Sequence, residues 1–499
     1  MNLYKILSGR FVADLSQPFL VLADGSNHSY GDIDHLSATF SATLLELGVK
    51  TGDRVVVQVH KTPAAVALYL ACLRTGAVYV PLNTAYTGAE VSYFLADAAP
   101  ALFICCPESA GQLTSVASQA GVPLTLTLGD SHEGSFADRA RNCPPLFELA
   151  DRDPDDVVAM LYTSGTTGRS KGAMLTLENL ASNAITLHEI WGFRPGDVLL
   201  HALPIFHVHG LFVALHCAML NASSVIFLPT FDVGQVRAML PDATVMMGVP
   251  TFYTRLLDCE DFDREQCRHV RLFISGSAPL SEQTFEAFEK RAGHKILERY
   301  GMTETSMITS NPLDGERIAG TVGYAIPGVE IRVADEAGNA LPPGEIGTVE
   351  LKGPNVFSGY WQMQEKTAQA FQDDGFFITG DLGSLCHDGR LSLVGRSRDL
   401  IISGGYNIYP KEIEAIIDDV PGVLESAVIG VPHREYGESV MAVVVVSEDK
   451  PASESSILAV TNAQLARFKQ PRQLIMVDEL PRNTMGKVQK NILREQYAG

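Results

Sequence analysis

Between residues 53 and 300, short apolar runs alternate with segments long enough to form a helix. The runs cover residues 55–59, 77–82, 102–106, 198–203, 224–228, 245–249 and 272–275. Continuous apolar runs of this length are typical of strands that are buried on both faces. Their alternation with helical segments predicts an α/β fold with doubly wound sheets.

The sequence pattern changes beyond residue 320. Short strand-like runs follow one another there, separated by glycines and by turn pairs such as Asp374-Gly375 and Asp388-Gly389. Aspartate followed by glycine is typical of tight hairpin turns. We therefore predict a β-rich subdomain at about 320–395.

A second change follows Arg396. A helix that begins with proline is predicted at 410–419, and strands are predicted at 426–431 and 440–446. We therefore predict a large N-terminal domain at 1–395 and a small α+β C-terminal domain at 396–499.

Charge and cysteine usage limit the partners. The chain has 38 basic and 58 acidic residues among 499, a net charge of −20, which argues against nucleic acid or an anionic membrane as partner. The eight cysteines show no C-x-x-C spacing and are interpreted as reduced thiols. Because we find neither a signal peptide nor an apolar run of membrane-spanning length, we expect a cytoplasmic protein.

The segment at 162–172, YTSGTTGRSKG, follows the apolar run at 157–161. Glycines allow close backbone approach, hydroxyl and amide groups donate hydrogen bonds, and lysine adds a positive charge, a combination that suits a triphosphate. It is not a Walker A loop, because no lysine follows a G-x-x-x-x-G pair. A flexible linker is the alternative. The candidate phosphate-binding residues are Thr163, Ser164, Gly165, Thr166, Thr167, Gly168 and Lys171.

Four further motifs follow in order. They are ERYGMTET at 298–305, TGD at 379–381, GRSRDLIISGGYNIYPKEIE at 395–414 and PRNTMGK at 481–487. Together with the first loop they resemble the adenylate-forming superfamily of acyl-CoA synthetases, peptide adenylation domains and firefly luciferase. The resemblance covers essentially the whole chain, and it implies a mobile C-terminal domain with a hinge near Arg398.

The resemblance implies two half-reactions. A carboxylate attacks the α-phosphate of ATP to form an acyl-adenylate and pyrophosphate, and a thiol then displaces AMP. ATP, Mg²⁺ and coenzyme A are therefore the expected cofactors and substrates. By the same resemblance, Lys487 contacts the acyl carboxylate and the α-phosphate, Thr163 and Glu304 hold Mg²⁺, and Asp381 and Arg396 hold the ribose. The nucleotide is also expected to contact Glu298, Arg299, Tyr300, Gly301, Met302 and Thr303.

The form ISGGYNIY at 402–409 resembles that of CoA ligases, which implies that Gly404, Gly405 and Tyr406 lie along the pantetheine arm. Since no carrier domain is recognised before residue 499, free coenzyme A is the expected acceptor. A stand-alone adenylation protein that loads a carrier protein is the alternative.

The acyl pocket is expected to be built from 203–210, LPIFHVHG, from the helix after Val249-Pro250, and from 275–280, SGSAPL. His207 and His209 stand at the family's gate position, where His207 is the expected catalytic histidine. Their H-x-H spacing also allows zinc, but the sequence offers no carboxylate or cysteine to complete a tetrahedral set there.

Arg255 decides the expected substrate. The segment GVPTFYTR resembles malonyl-CoA and methylmalonyl-CoA synthetases, in which residues at the positions of Arg255 and Ser277 hold the non-reacting carboxylate. A bidentate guanidinium offsets the cost of burying that second charge. We therefore expect malonate or methylmalonate, and the alternative is a CoA ligase for a medium-chain or aryl monocarboxylic acid.

Lys487 also resembles a site at which protein acetyltransferases silence such enzymes. Acetylation would remove its positive charge. A protein lysine acetyltransferase acting at Lys487 is therefore a hypothetical partner.

Overall fold

The computed structural model describes residues 1–11, 14–163, 170–403, 406–434, 436–483 and 486–497. In chain order the strands are β1 (Pro18–Val21), β2 (Asn27–Ser29), β3 (Arg54–Gln58), β4 (Val78–Pro81), β5 (Leu102–Cys105), β6 (Thr125–Thr127), β7 (Val157–Thr163), β8 (Lys171–Thr176), β9 (Val198–His201), β10 (Ser224–Phe227), β11 (Val245–Gly248), β12 (Leu272–Ser275), β13 (Leu297–Met302), β14 (Ser306–Ser310), β15 (Tyr324–Ala325), β16 (Glu330–Ala334), β17 (Gly347–Lys352), β18 (Gly359–Tyr360), β19 (Phe377–Leu385), β20 (Leu391–Arg396), β21 (Ile401–Ser403), β22 (Tyr406–Ile408), β23 (Val423–His433), β24 (Gly437–Val446) and β25 (Gln473–Val477).

The helices are α1 (Leu3–Ser8), α2 (Tyr30–Glu46), α3 (Pro63–Thr75), α4 (Gly88–Ala98), α5 (Ala110–Gln119), α6 (Ser135–Ala140), α7 (Leu177–Ile190), α8 (Leu215–Asn221), α9 (Val233–Met239), α10 (Pro250–Leu257), α11 (Glu282–Ala292), α12 (Gln364–Ala368), α13 (Pro410–Asp418), α14 (Glu454–Gln464) and α15 (Lys490–Tyr497). A π-helical turn, His209–Ala214, precedes α8. None of the described helices is both long enough and apolar enough to cross a membrane.

Two large mixed sheets form the first part of the chain. The first sheet has the strand order β15-β14-β13-β12-β11-β9-β10-β1-β2, and the second has the order β18-β8-β7-β4-β3-β5-β6. Their inner strands are parallel, whereas β2, β8, β14, β15 and β18 pair antiparallel at the sides. The predicted α/β class is confirmed, and each of the seven predicted strands is present with its ends within two residues.

The helix α3 shows how the chain fills the space between these elements. Thr62 caps it, Pro63 occupies its first turn and Gly76 ends it with a φ of 72°. All of its residues from Ala64 to Thr75 are buried. The apolar segment that is too short to span a membrane is therefore a core helix.

Two smaller sheets follow. The third is antiparallel, with the order β16-β17-β19-β20, and is the β-rich region expected beyond residue 320. The fourth has the order β22-β21-β24-β23, with β25 parallel to β24, and carries α13, α14 and α15. The chain passes from the third sheet to the fourth through a short 3-10 turn, Ser397–Asp399, directly after Arg396.

Candidate active site

The phosphate-loop candidates begin at the end of β7. Thr163 is the last residue of β7 and pairs across the hairpin with Lys171, the first residue of β8. The antiparallel register therefore holds these two residues side by side. The candidates Ser164, Gly165, Thr166, Thr167 and Gly168 lie outside the described residues.

Lys171 faces an aromatic ring and a buried carboxylate. Its Nζ lies 3.9 Å from the centroid of the Tyr360 ring, and the Tyr360 hydroxyl donates a hydrogen bond to Oε1 of Glu304 at 3.0 Å. Burial lowers the pKa of Lys171 and raises the pKa of Glu304, and the opposite charges of the two groups counter both shifts. A cation and a carboxylate thus share one enclosed space.

Sequence reasoning missed Tyr360. It stands in a short strand, β18, whose pairing with β8 places Tyr360 opposite Ala173. That pairing joins residues far apart in the chain, and no motif around Tyr360 predicts it.

A second cluster surrounds Asp381. The register of β19 and β20 pairs Asp381 with Arg396, and Arg396 Nε lies 2.8 Å from Oδ1 of Asp381. The hydroxyl of Tyr300 donates to Oδ2 of Asp381 at 2.5 Å. Burial, with the negative charge of Asp381, raises the pKa of Tyr300 well above its usual value. Both oxygens of the carboxylate are therefore held in fixed positions.

Lys487 lies beside this cluster. Burial, together with the positive charge of Arg396, lowers the pKa of Lys487 to about 8, and the negative charge of Asp381 opposes this shift. A turn presents the lysine: the backbone N–H of Asn483 donates to the carbonyl of Lys487 at 2.9 Å. A Cβ atom at Gly486 would lie 3.0 Å from Thr251 Oγ1, so this turn packs against the start of α10. The structure thus brings Lys487 to Asp381 and Arg396.

The segment after Tyr300 forms a tight hairpin. Met302 pairs with Ser306 across it, and a side chain at Gly301 would overlap the Ser306 carbonyl. Glu298, on the same face of β13 as Tyr300, accepts a hydrogen bond from the Leu280 N–H at 3.1 Å. Burial raises the pKa of Glu298 to about 7.

His207 lines a narrow cleft near the nucleotide end of the site. The cleft is also lined by Tyr162 of β7 and Thr303 of the hairpin. Burial lowers the pKa of His207 to about 4, so its imidazole is neutral near pH 7.

His209 and Ser277 meet in the expected acyl pocket. Ser277 Oγ lies 3.3 Å from His209 Nδ1, and Ser277 adopts a φ of 70°, which is rare for a residue other than glycine. His209 is 2% exposed, and its Nε2 is buried without a hydrogen-bond partner among the described residues. Burial, with the charge of Arg299, lowers the pKa of His209 well below its usual range.

Arg299 is the unexpected member of this pocket. Neighbouring residues of a strand point to opposite faces, so Tyr300 faces Asp381 while Arg299 faces the other way, against Gly276. Any side chain at Gly276 would overlap the guanidinium. Its Nε and Nη2 are buried and lack a hydrogen-bond partner within the described part of the chain. Burial lowers the pKa of Arg299 to about 9. Arg299 thus lies against Gly276 and close enough to His209 to affect its pKa, and its expected contact with the nucleotide stays a prediction.

Arg255 stands near the end of α10. Tyr253 and Leu256 form the buried face of α10, and Arg255 lies between them in sequence on the exposed side. Sequence reasoning assigned Arg255, on an otherwise apolar helix, to the non-reacting carboxylate, and the helical repeat places its side chain on the exposed side of that helix. An exposed arginine is compatible with a pocket that is open to solvent, so the role of Arg255 in binding a carboxylate stays a prediction.

One of the expected coenzyme A residues, Tyr406, lies in the fourth sheet. Gly404 and Gly405 are outside the described residues, and Tyr406 is 58% exposed and stacks on Phe468 with ring centroids 4.5 Å apart. Arg398, the expected hinge, is adjacent to Asp399, whose Oδ1 pairs with Nη2 of Arg494 at 2.8 Å. An ion pair to α15 thus anchors the connection between the third and fourth sheets.

Comparison with known proteins shows extensive similarity. Residues 13–361 match the model of the AMP-binding enzyme family, and residues 412–487 match that of the AMP-binding enzyme C-terminal domain. The chain is 35% identical over 511 residues to malonate–CoA ligase ACSF3, mitochondrial, of Mus musculus, covering 94% of this chain and 87% of that protein. It is 33% identical over 476 residues to the long-chain-fatty-acid–CoA ligase FadD13 of Mycobacterium tuberculosis, covering 94% and 93%. A crystal structure of ATP-bound MatB from Rhodopseudomonas palustris superposes with a TM-score of 0.97 at 51% identity, covering 100% and 99%.

Proposed function

Because the chain belongs to the AMP-binding enzyme family, as its motifs indicated, we propose that it ligates malonate to coenzyme A with consumption of ATP. One malonate carboxylate attacks the α-phosphate of ATP, which forms malonyl-adenylate and releases pyrophosphate. The thiol of coenzyme A then displaces AMP. The relative from Mus musculus supports malonate, but the relative from Mycobacterium tuberculosis is about equally similar and is named for a fatty acid. The choice of acid therefore rests on the pocket.

The guanidinium of Arg299, whose Nε and Nη2 have no hydrogen-bond partner among the residues described, carries the proposal for malonate. A buried cation without a partner is costly, and a carboxylate that accepts two parallel hydrogen bonds from it offsets that cost. The second carboxylate of malonate supplies this anion, with Ser277 and His209 beside it. A monocarboxylic acid of similar size leaves Arg299 unpaired, which disfavours it by about 2 kcal/mol or more.

The nucleotide is proposed to occupy the space between the Lys171 and Asp381 clusters. Asp381 accepts hydrogen bonds from the ribose hydroxyls, because a carboxylate retains acceptor capacity beyond its contacts with Arg396 and Tyr300. Lys171, the first residue of β8, offsets the negative charge of the ATP phosphates. The neutral His207 lies where the acyl group and the phosphates meet.

The residues present fit Mg²⁺. This ion binds through one or two carboxylates, together with phosphate oxygens and water, and Glu304 offers a buried carboxylate next to Lys171. Glu304 and the hydroxyl of Thr163 would hold the ion. When bound, Mg²⁺ neutralises part of the triphosphate charge.

Lys487 is proposed to serve the first half-reaction. Two anions, the malonate carboxylate and the α-phosphate, must approach each other, and an ammonium between them reduces their repulsion. The position of Lys487 beside Asp381 and Arg396 supports this role. For the second half-reaction we propose that residues 396–499 turn about Arg398 and bring Gly404, Gly405 and Tyr406 to the pantetheine arm.

The experiment is a substrate panel. AMP formation is measured with Mg·ATP and coenzyme A for malonate, methylmalonate, acetate, butyrate and benzoate. We expect kcat/KM for malonate to exceed that for acetate by about 30-fold or more, which corresponds to about 2 kcal/mol. Methylmalonate differs by one methyl group, so we expect a difference of only about 10- to 200-fold between the two dicarboxylates. Preference for a monocarboxylate would refute malonate and leave the family assignment standing.

A pair of arginine variants locates the recognition. Arg299→Met is expected to lower kcat/KM for malonate by about 30-fold or more and to leave acetate nearly unchanged. Arg255→Ala is the matched control and is expected to change neither. A loss of malonate activity in Arg255→Ala but not in Arg299→Met would show that Arg255, and not Arg299, binds the second carboxylate of malonate. Transfer to a carrier protein but not to free coenzyme A would favour the carrier-loading alternative.

Two finer proposals concern the setting of the enzyme. The eight cysteines are free thiols, which supports a reducing compartment such as the cytoplasm, and fractionation of the native cells tests this. Acetylation of Lys487 is proposed to block adenylation, because it removes the ammonium charge. An acetylated protein that retains its full adenylation rate would refute it.

A further inference from the structure

Four potential ligand residues cluster at one end of the second sheet. His60 follows β3, Cys106 directly follows β5, and Asp130 follows β6. These three strands are adjacent and parallel, so their carboxyl ends lie at the same edge of the sheet. Glu108 stands in the 3-10 turn Pro107–Ser109, two residues beyond Cys106.

The imidazole of His60 lies between two carboxylates. Its Nε2 is 3.3 Å from Oε1 of Glu108, and its Nδ1 is 2.9 Å from Oδ1 of Asp130. One donor atom each from His60, Cys106 and Glu108 lies within 4.8 Å of the others. Zinc bonds of about 2.0–2.3 Å place tetrahedral ligands about 3.3–3.8 Å apart, so small side-chain adjustments bring the three donors onto one ion.

The charge at this cluster favours a cation. The carboxylates of Glu108 and Asp130 both lie within 3.3 Å of the His60 imidazole, so two carboxylates flank a single ring. The neighbouring Lys61 is directed elsewhere, because its Nζ donates to the carbonyls of His201 and Leu228.

Accessibility also suits an ion that enters from solvent. The side chains of His60 and Glu108 are 44% and 60% exposed, whereas Cys106 is only 2% exposed. An ion can therefore reach the two outer ligands first and close onto the thiol beneath them.

We propose that His60, Cys106 and Glu108 bind one divalent transition-metal ion of the zinc class at a site separate from the nucleotide and acyl pockets. Nitrogen, sulfur and oxygen donors together suit zinc. Asp130 is a positioning residue: it accepts the N–H of Nδ1, which leaves the lone pair of Nε2 for the metal. Binding transfers the Cys106 thiol proton to solvent, and water fills the fourth position.

The full-length protein is first freed of metal with a chelator. It is then titrated with Co²⁺ in one experiment. In a second experiment it is titrated with Zn²⁺ in competition with a chromophoric chelator. We expect each protein molecule to bind one metal ion tightly, and the Co²⁺ complex to show a thiolate-to-cobalt charge-transfer band. Cys106→Ser should abolish the band. Asp130→Asn should keep the band and weaken Zn²⁺ binding by about 10- to 100-fold, as loss of an orienting partner does.

Cys386→Ser is the matched control, because Cys386 is an exposed thiol in another part of the chain. Its band and affinity should equal those of the unmodified protein. The proposal is overturned if no equivalent binds, if Cys106→Ser keeps the band, or if Cys386→Ser removes it. Circular dichroism of each metal-free variant separates loss of the site from loss of folding, and none of these outcomes bears on malonate ligation.

Discussion

Asp381 and Arg299 lie on opposite sides of β13, and their surroundings differ. The Asp381 carboxylate is held by Arg396 on one oxygen and by Tyr300 on the other. The Arg299 guanidinium, in contrast, keeps Nε and Nη2 buried without partners among the described groups. At the proposed nucleotide end the carboxylate is thus held by protein groups, while at the proposed acyl end a buried cation keeps two nitrogens that no described residue pairs.

The difference separates two tasks. ATP is common to the whole family, and a preorganised carboxylate serves it without rearrangement. The acid differs between members, and a buried unpaired group penalises every acid that lacks the matching charge. Under the proposed function, the unsatisfied cation therefore selects for acids that carry a second carboxylate.

Removing Lys487 is expected to disable the nucleotide end and to spare acid selection. Lys487→Ala should lower malonate-dependent pyrophosphate exchange by about 10²–10³-fold, as loss of one charge-stabilising donor does. Thioester formation from supplied malonyl-adenylate should persist. Lys490→Ala, which removes a lysine paired with Glu414 in the same domain, is the control. An equal loss in both variants would contradict the role of Lys487.

A methyl group at Gly276 is expected to disable the acyl end alone. In Gly276→Ala the new Cβ would overlap the guanidinium of Arg299 and displace it. We expect kcat/KM for malonate to fall by about 30-fold, or about 2 kcal/mol, with KM for ATP unchanged. Gly111→Ala, in helix α5 with no atom near the new Cβ, should leave both values as they are. A rise in KM for ATP would show that the two ends are coupled.

Raising the pH is expected to weaken the nucleotide end. The pKa of Lys487 is lowered to about 8 from 10.5, so its charged form declines about tenfold for each unit above pH 8. The kcat/KM for ATP should fall accordingly. Since the unfolded chain binds more protons between pH 8 and 10.5, the contribution of Lys487 to the free energy of unfolding rises with pH there. Lys487→Gln should lack this slope in chemical denaturation, and an unchanged slope would refute the shift.

The smallest effect is expected from loosening Asp381. Tyr300→Phe removes one of its two hydrogen bonds and leaves Arg396 in place. We expect KM for ATP to rise about fivefold, or about 1 kcal/mol, with no change in the preference for malonate. Tyr324→Phe removes a similar bond to the exposed Asp388 and should change neither value. Altered acid preference in Tyr300→Phe would break the separation of the two ends.

Local patterns predicted the strands well. The run at 272–275 became β12 without change, because an apolar run of four residues between helices is buried wherever it pairs. The antiparallel strands at the sides of the sheets were not predicted. The strand β18 has only two residues, and its pairing with β8 depends on contacts that span much of the chain.

The pocket shows the limit of the same reasoning. Arg255 and Arg299 both stand in motif-like segments, and sequence placed the first in the acyl pocket and the second at the nucleotide. The side that an arginine faces depends on how its helix or strand is rotated about its own axis when it packs against the rest of the molecule. That rotation turned Arg255 outward and Arg299 toward Gly276.

By itself, the sequence determined the family, the order of the motifs and the residue types that handle phosphate, ribose and carboxylate, because these depend on short segments with their own chemistry. Only the tertiary structure decided which charges are paired. Tyr360 reaches Glu304, and Arg396 reaches Asp381, through strand pairing, while Nε and Nη2 of Arg299 find no hydrogen-bond partner in the part of the chain that the structure describes. Pairing depends on distances of a few ångströms between residues far apart in the chain, and those distances exist only once the sheets have formed.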